Sequence, residues 1–418
     1  MLDVRIAPAA PDVEVRPVDT RGKPDQLRAA AGMLARELPA GPAAVACRGL
    51  RGDRLAAFTE GLVLGAYRFS LASVSPPGPG PVQLVGVDDA AAVERGLRNA
   101  RATVWARDLA NTPAATKTPA WLGAQAAREL SALGVEVTVH DEQWLAANGF
   151  GGILGVGAGS AAPPRLIEAS WRPRGARAGV HAVVVGKGIT FDTGGINLKG
   201  GAGMRTMHTD MSGGAAALAA LRTIAELRLP MRVTVLVPAA ENAFSGSALR
   251  PGDVVRHFGG RTSEIMNTDA EGRIVLADAL AYATARLRPS VLVDLATLTG
   301  AMKVALGLRV GGLFATTDSL AAALVAAGRT SGEPLWRLPL AVDYQGTLRS
   351  DVADAQNSPG NPGGITAALF LQPFTGGLPW AHLDIAGPAR APEDDGFLSR
   401  GGTGFGARLI ARWVESLG

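Results

Sequence analysis

A chain of 418 residues is long for one small core, and its 47% apolar content can bury a large one, which argues against wholesale disorder. A net charge of +4 over that length, with no Lys/Arg block, argues against the footprint of a nucleic-acid binder. The single cysteine, Cys47, rules out an intrachain disulfide and fits a reducing compartment.

The leading stretch MLDVRIAPAAPDVEVRP has charges at Asp3 and Arg5 and no continuous apolar core, so it does not read as a signal peptide. No window approaches the roughly 18 uncharged apolar residues of a membrane span. A soluble, cytoplasmic protein is expected. Residues 1–90 are Ala/Arg/Pro-rich and weakly patterned. QLRAAAGMLARELPAG (26–41) predicts a helix, AAVACRGL (43–50) a strand and LAAFTEGLVLGAYRF (55–69) a helix. SPPGPGPVQLVGV (75–87) reads as a Pro/Gly break followed by a short strand. A helix follows over 88–111. The domain junction is placed within or just before it, dividing the chain into a smaller N-terminal α/β domain, 1–95, and a larger domain, 96–418.

Beyond that point the pattern sharpens. A helix is predicted over 118–134, with a Thr-Pro start signal, and a strand over 135–141. HAVVVGKG (181–188) predicts a buried strand, 211–230 a helix ending at Pro230, and 231–240 another buried strand. A helix over 271–290 and a third strand over 291–300 complete the series. Apolar strands alternating with helices predict a mostly parallel mixed sheet covered by helices on both faces. In such sheets ligands bind beyond the C-terminal strand ends.

The stretch VVGKGITFDTGGINLKG (184–200) lies at such an end, with Lys187, Asp192 and Lys199 in a Gly-rich loop. Of 41 basic residues only Lys23, Lys117, Lys187, Lys199 and Lys303 are lysines. An amine can lose its proton when desolvated or metal-bound, and a guanidinium in practice cannot. A pair of lysines in one loop therefore points to a need for an amine, against the plainer reading of two retained surface charges. A phosphate cradle fits poorly, because the Walker pattern and the third dinucleotide glycine are missing and Asp192 would repel a phosphate. No GxSxG elbow is present. The five histidines are scattered and none begins HExxH, which leaves oxygen ligands for any metal. Asp210, before a predicted helix, and Asp269 and Glu271, which stand with Arg273 at the start of another, have a plain reading as caps and first-turn acids. That reading does not account for two acids and an arginine in one short loop. Four carboxylates at one sheet edge would repel each other, and two divalent cations would neutralise them.

GKGITFDTGGINLK, MHTDMSGGAA and NTDAEGRIVLADAL, in this order and spacing, resemble the catalytic signature of leucine aminopeptidases, the two-metal cytosol aminopeptidase family. RDLANTPAATKTP, GVGAGSAAPPRLIEASW, VPAAENAFSGSALRPGDVV, VDLATLTGA and PWAHLDIAGPA extend the resemblance over roughly 95–418. It implies an aminopeptidase acting on peptides with a free N-terminus, with two divalent metal ions per chain. These would be Mn2+ or Zn2+, with Mg2+ or Co2+ as alternatives in an exchangeable site. It implies that Lys187, Asp192, Asp210 and Glu271 hold the tighter metal, and that Asp192, Asp269 and Glu271 hold the looser one, Asp269 also through its backbone carbonyl. Lys199 would polarise the scissile carbonyl, and Arg273 would hold a bicarbonate that relays protons. Met207, Thr297 and Gly300 would wall the pocket for the first side chain, and the Leu298 carbonyl would orient the peptide. Departures are a shortened N-terminal part, in which only FTEGLVLGAYRF looks familiar, His208 where Lys or Arg is common, and Gly200 where Pro is common. The family's N-terminal domain supports a homohexamer, so a homo-oligomer is implied. A DNA-binding or regulatory member with secondary peptidase activity is the alternative.

Overall fold

The computed structural model describes residues 1–7, 15–74 and 77–418. The expected break at Ser75 and Pro76, and positions 8–14 of the leading stretch, lie outside the described residues. The described residues form two compact units. The first comprises Met1–Asp108 with Ala391–Thr403, and the second Leu109–Arg390 with Gly404–Gly418.

In the first unit, β1 (Val4–Ala7), β2 (Val15–Arg16), β3 (Ala43–Ala46) and β4 (Val82–Val85) form a sheet in the order β1-β4-β3-β2, with every pair parallel. Helices α1 (Pro24–Glu37) and α2 (Gly52–Gly65) pack on each other. Their apolar faces share a core with β3, β4 and the start of α3 (Ala90–Asn111). Cys47 lies fully buried in that core. Inside the α1–α2 contact, Arg28 donates to Glu60 at 2.6 Å, both side chains being buried.

The second unit holds a nine-stranded sheet. Its strands are β5 (Glu136–His140), β6 (Arg165–Trp171), β7 (His181–Gly186), β8 (Gly188–Asp192) and β9 (Arg232–Asn242). Strands β10 (Val254–Arg256) and β11 (Thr262–Glu264) belong to a small separate sheet. The large sheet resumes with β12 (Val291–Ala296), β13 (Gly311–Ala315) and β14 (Leu335–Arg337). After β15 (Ala355–Gln356), which joins the small sheet, it closes with β16 (Trp380–Asp384). The order is β14-β13-β16-β12-β7-β9-β6-β5, with β8 beside β9. The central pairs β16/β12, β12/β7 and β7/β9 are parallel, and the antiparallel pairs β13/β16, β9/β6 and β6/β5 lie outside them.

Chemistry dictates this centre. HAVVVG is buried at every position, as a strand covered on both faces must be. Val183 and Val185 join the core cluster of helix Glu271–Tyr282, and helix Ser212–Glu226 also packs on β7, β9 and β12. That second helix is rich in alanine and almost wholly buried, so it can lie close to the strands. The architecture is the α/β mixed sheet flanked by helices that the sequence predicts.

Two differences matter for the site. The expected strand 181–188 ends at Gly186, and the Gly-rich segment after it begins with a second strand, β8. The cause is the length of β9. Its first half pairs with β7, and Ala239–Asn242 run on to pair with β8 through an irregularity between Ile189 and Phe191. The expected strand 291–300 ends at Ala296, and Thr297–Gly300 leave the sheet.

Candidate metal centre and active site

The parallel register sets the C-terminal ends of β7 and β12 side by side, with Gly186 opposite Leu295. Lys187 follows directly, and its N–H donates to the Leu295 carbonyl at 3.1 Å. Asp192 ends β8. The chain then reverses through Gly194 and Gly195 at φ +89° and +64°, a conformation that favours glycine. This turn lets the Lys199 N–H donate to the Thr193 carbonyl at 2.8 Å, which brings Lys199 back beside Asp192.

The helices supply the other acids. Helix α4 (Pro119–Ser131) starts at the Thr118 cap, whose hydroxyl accepts from Trp121 N–H at 3.1 Å. Next come two short helices, α5 (Glu142–Ala147) and α6 (Gly151–Gly157), then α7 (Gly201–Met204). Asp210 lies just before α8 (Ser212–Glu226). Glu271 is the first residue of α9 (Glu271–Tyr282), with Asp269 two residues before it.

The structure gathers these residues. Carboxylate oxygens of Asp192, Asp269 and Glu271 all lie within 4.8 Å of one another. Asp210 stands outside that trio and meets it through Lys187, whose Nζ is 2.8 Å from Asp210 Oδ2 and 2.7 Å from Glu271 Oε1. Lys199 Nζ lies 2.8 Å from Asp192 Oδ2 and also pairs with Asp269. Lys187, Asp192 and Glu271 are each about as buried as core residues, whereas Lys199 is 18% exposed.

Four acids therefore share two amines, and the contacts are ionic more than directional. Asp210 Oδ2, Asp269 Oδ1 and Glu271 Oε1 are met only by lysine ammoniums, and Glu271 Oε2 is buried with no partner among the described residues. Burial pushes the Glu271 carboxyl up, and Asp192 and Asp210 add to the rise against the lysines. The Asp210 carboxyl is raised by burial as well. Burial lowers the Lys187 ammonium, but Asp210, Glu271 and Asp192 together outweigh it and hold the proton well above the ordinary lysine range. A buried cluster with more acid than base is costly unless a cation joins it. An all-oxygen set with one amine suits hard or borderline dications.

The surrounding polar groups fix the acids. Asp192 Oδ1 accepts from Gly194 N–H and Asn242 Nδ2, both at 2.8 Å, and Asn242 also donates to the Thr268 carbonyl at 3.0 Å. Thr297 Oγ1 donates to Asp210 Oδ1 at 2.7 Å. Asp384, at the end of β16, accepts from Leu298 N–H, Thr299 N–H and Thr299 Oγ1, which shapes the turn off β12. Arg273 is buried and donates to the Asn357 carbonyl at 2.7 Å, and its Nε has no hydrogen bond. Burial lowers that guanidinium to about 10.

Lys187, Asp192, Lys199, Asp210 and Asp269 open onto one cavity of about 460 Å³. Met207, Thr297, Leu298 and Gly300 line the same cavity. Among the eleven residues singled out from the sequence, only Glu271 and Arg273 are off its wall, both held behind it on α9. Sequence reasoning missed Asn242, Thr268, Asp384 and Lys117. Lys117 is fully buried and donates to the carbonyls of Leu109 and Ala110, at 3.0 and 2.9 Å, and to that of His208. It ties the end of α3 to the turn that carries Met207 and Asp210. The scarcity of lysines was the signal that could have found it.

A model of the cytosol aminopeptidase family, catalytic domain, matches residues 104–411. The probable cytosol aminopeptidase of Leifsonia xyli subsp. xyli is 45% identical over 413 residues, covering 94% of this chain and 82% of the relative. That of Roseiflexus castenholzii is 48% identical over 378 residues, covering 86% and 77%. Among solved structures, the cytosol aminopeptidase from Coxiella burnetii superposes with a TM-score of 0.86 at 37% identity, covering 94% of this chain and 84% of that one. The bottromycin maturation enzyme BotP in complex with Mn gives 0.89 at 40%, covering 95% and 88%.

Proposed function

The chain belongs to the cytosol aminopeptidase family and is a metal-dependent hydrolase of N-terminal peptide bonds, and from that premise we propose how its own residues divide the work. Lys187, Asp192, Asp210 and Glu271 hold one dication. Asp192, Asp269 and Glu271, with the Asp269 carbonyl, hold a second, exchangeable one. The observation that carries this assignment is the gathering of four carboxylates, three of them buried, around only two amines. The ions are Mn2+ or Zn2+, with Mg2+ or Co2+ able to enter the exchangeable site. Bound dications supply Lewis acidity toward the peptide carbonyl and lower the pKa of water.

Lys187 serves as a ligand only after losing its proton, which a nearby dication favours and which arginine could not do. Lys199 keeps its proton. It is the more exposed amine, so it reaches the cavity and donates to the carbonyl oxygen as negative charge develops there. Arg273 keeps its charge at neutral pH, and its buried Nε remains a donor for an anion, which we assign to bicarbonate. Met207, Thr297 and Gly300 wall the pocket for the first side chain, and the Leu298 carbonyl orients the peptide. The substrate carries a free α-amine.

The protein works as a homo-oligomer, a hexamer by likeness to the family, in the cytoplasm. Among the described residues no helix is long and apolar enough to cross a membrane. No observation favours the nucleic-acid-binding alternative. Purified protein stripped by a chelator is expected to cleave leucine-p-nitroanilide only after addition of Mn2+, Zn2+ or a similar dication. Absence of hydrolysis across a panel of dications would refute the assignment.

A further inference from the structure

Lys303 is one of only five lysines, and the chemistry above does not use it. It sits on helix α10 (Gly300–Leu306), which starts at the cavity. Gly300 and Lys303 are three residues apart, so they share a helix face, and both line the cavity. Met302 points the other way, into the core. The Lys303 side chain is exposed and has no hydrogen bond or ion pair among the described residues. The three carboxylates on the cavity wall, Asp192, Asp210 and Asp269, are already engaged by Lys187 and Lys199. None of them pairs with Lys303 among the described residues. Arg390 adds a second positive charge to the same wall, and Met207, Ala386 and Ala389 nearby are uncharged.

We propose that Lys303 is a specificity-determining residue that receives a carboxylate of the substrate. That carboxylate is either the side chain of an acidic first residue or the terminal group of a short peptide. The inference rests on the aminopeptidase reading and goes beyond it by naming the favoured substrate class. An ammonium on a flexible stem suits a carboxylate arriving at varied depth. Because Lys303 is exposed, its effect falls mainly on KM and weakens with salt.

The test uses the full chain loaded with Mn2+ and compares kcat/KM within two substrate pairs. Glu-Leu-amide against Gln-Leu-amide reads the first side chain, and Leu-Leu against Leu-Leu-amide reads the terminal carboxylate. The acidic member of at least one pair is expected to be preferred, and that pair identifies the source. Lys303→Met should reduce the preference about fivefold, chiefly through KM. Lys303→Arg should retain it, and Lys303→Glu should reverse it. Each preference is a ratio measured on one variant, so partial loss of folding cancels. A wild type with no preference in either pair, or a preference that survives Lys303→Met, would overturn the proposal. Failure to hydrolyse any of the four peptides with any dication would remove the aminopeptidase reading, and this proposal with it.

Discussion

Lys187 and Lys199 carry the same functional group into very different surroundings. Lys187 is shut in between Asp210 and Glu271, whereas Lys199 faces the cavity from between Asp192 and Asp269. Only the enclosed amine needs to give up a proton for the proposed chemistry. Lys187→Arg would keep a positive charge where the uncharged ligand is required, in a side chain held between Asp210 and Glu271. We expect this variant to retain one metal of the two and to lose on the order of 100-fold or more in turnover. Elemental analysis of dialysed protein together with kcat checks this, and two metals with normal turnover would contradict the ligand role. Lys187, Asp192 and Lys199 were legible in the sequence as charges in a Gly-rich stretch after a buried strand, and Asp210, Asp269, Glu271 and Arg273, which helix starts alone could explain in part, through motifs that resemble the family's. Asn242, Thr268 and Asp384 were not, because each is an ordinary polar residue. Their value comes from hydrogen bonds to partners tens of residues away, such as Asn242 to Asp192 and Asp384 to Thr299.

At the scale of elements, the strand ends and helix starts act as one device. Helix α9 presents Glu271 and Arg273 from its first turn, with Gly272 between them against Lys187. A Cβ on Gly272 would lie 2.7 Å from both Cε and Nζ of Lys187 and 2.9 Å from Leu298 Cδ1. These atoms are the far ends of flexible side chains, so they can move aside. Alanine also has about 1 kcal/mol better helix propensity than glycine. Gly272→Ala is therefore expected to leave the melting temperature within a few degrees of wild type while lowering kcat at least about tenfold, because the displaced atoms belong to the site. A variant that melts far earlier, or one with full activity, would show that the glycine serves packing alone or nothing. Periodicity revealed α8, α9, β7, β9 and β12, whose apolar runs are long. It missed β8, because GITFD is short and flanked by glycines and its strand character comes from the overhang of β9.

At the scale of the whole molecule, the largest piece hidden from the sequence is a return of the chain. APEDDGFLSRGGT (391–403) has no period to read, yet its contacts place it with the first unit, Met1–Asp108. The stability of the whole should also carry the imprint of the acid cluster. In the metal-free protein Glu271 is pushed up to about 8, by burial first and then by Asp192 and Asp210. Its value in an unfolded chain is about 4.3. Between those two values the folded protein holds a proton that the unfolded chain has released. Stability from this group is therefore present below pH 4.3 and is lost as pH rises toward 8. Asp210, also raised by burial, acts with the same sign. A dication reverses the slope, because it binds the deprotonated acids and so binds more tightly as pH rises. The melting temperature of chelator-treated protein should fall from pH 5 to pH 8 more steeply than that of Glu271→Gln, and added Mn2+ should raise it more at pH 8 than at pH 5. Equal slopes in the two proteins, together with a metal effect independent of pH, would mean that Glu271 neither holds a proton in the metal-free state nor releases one to solvent when metal binds.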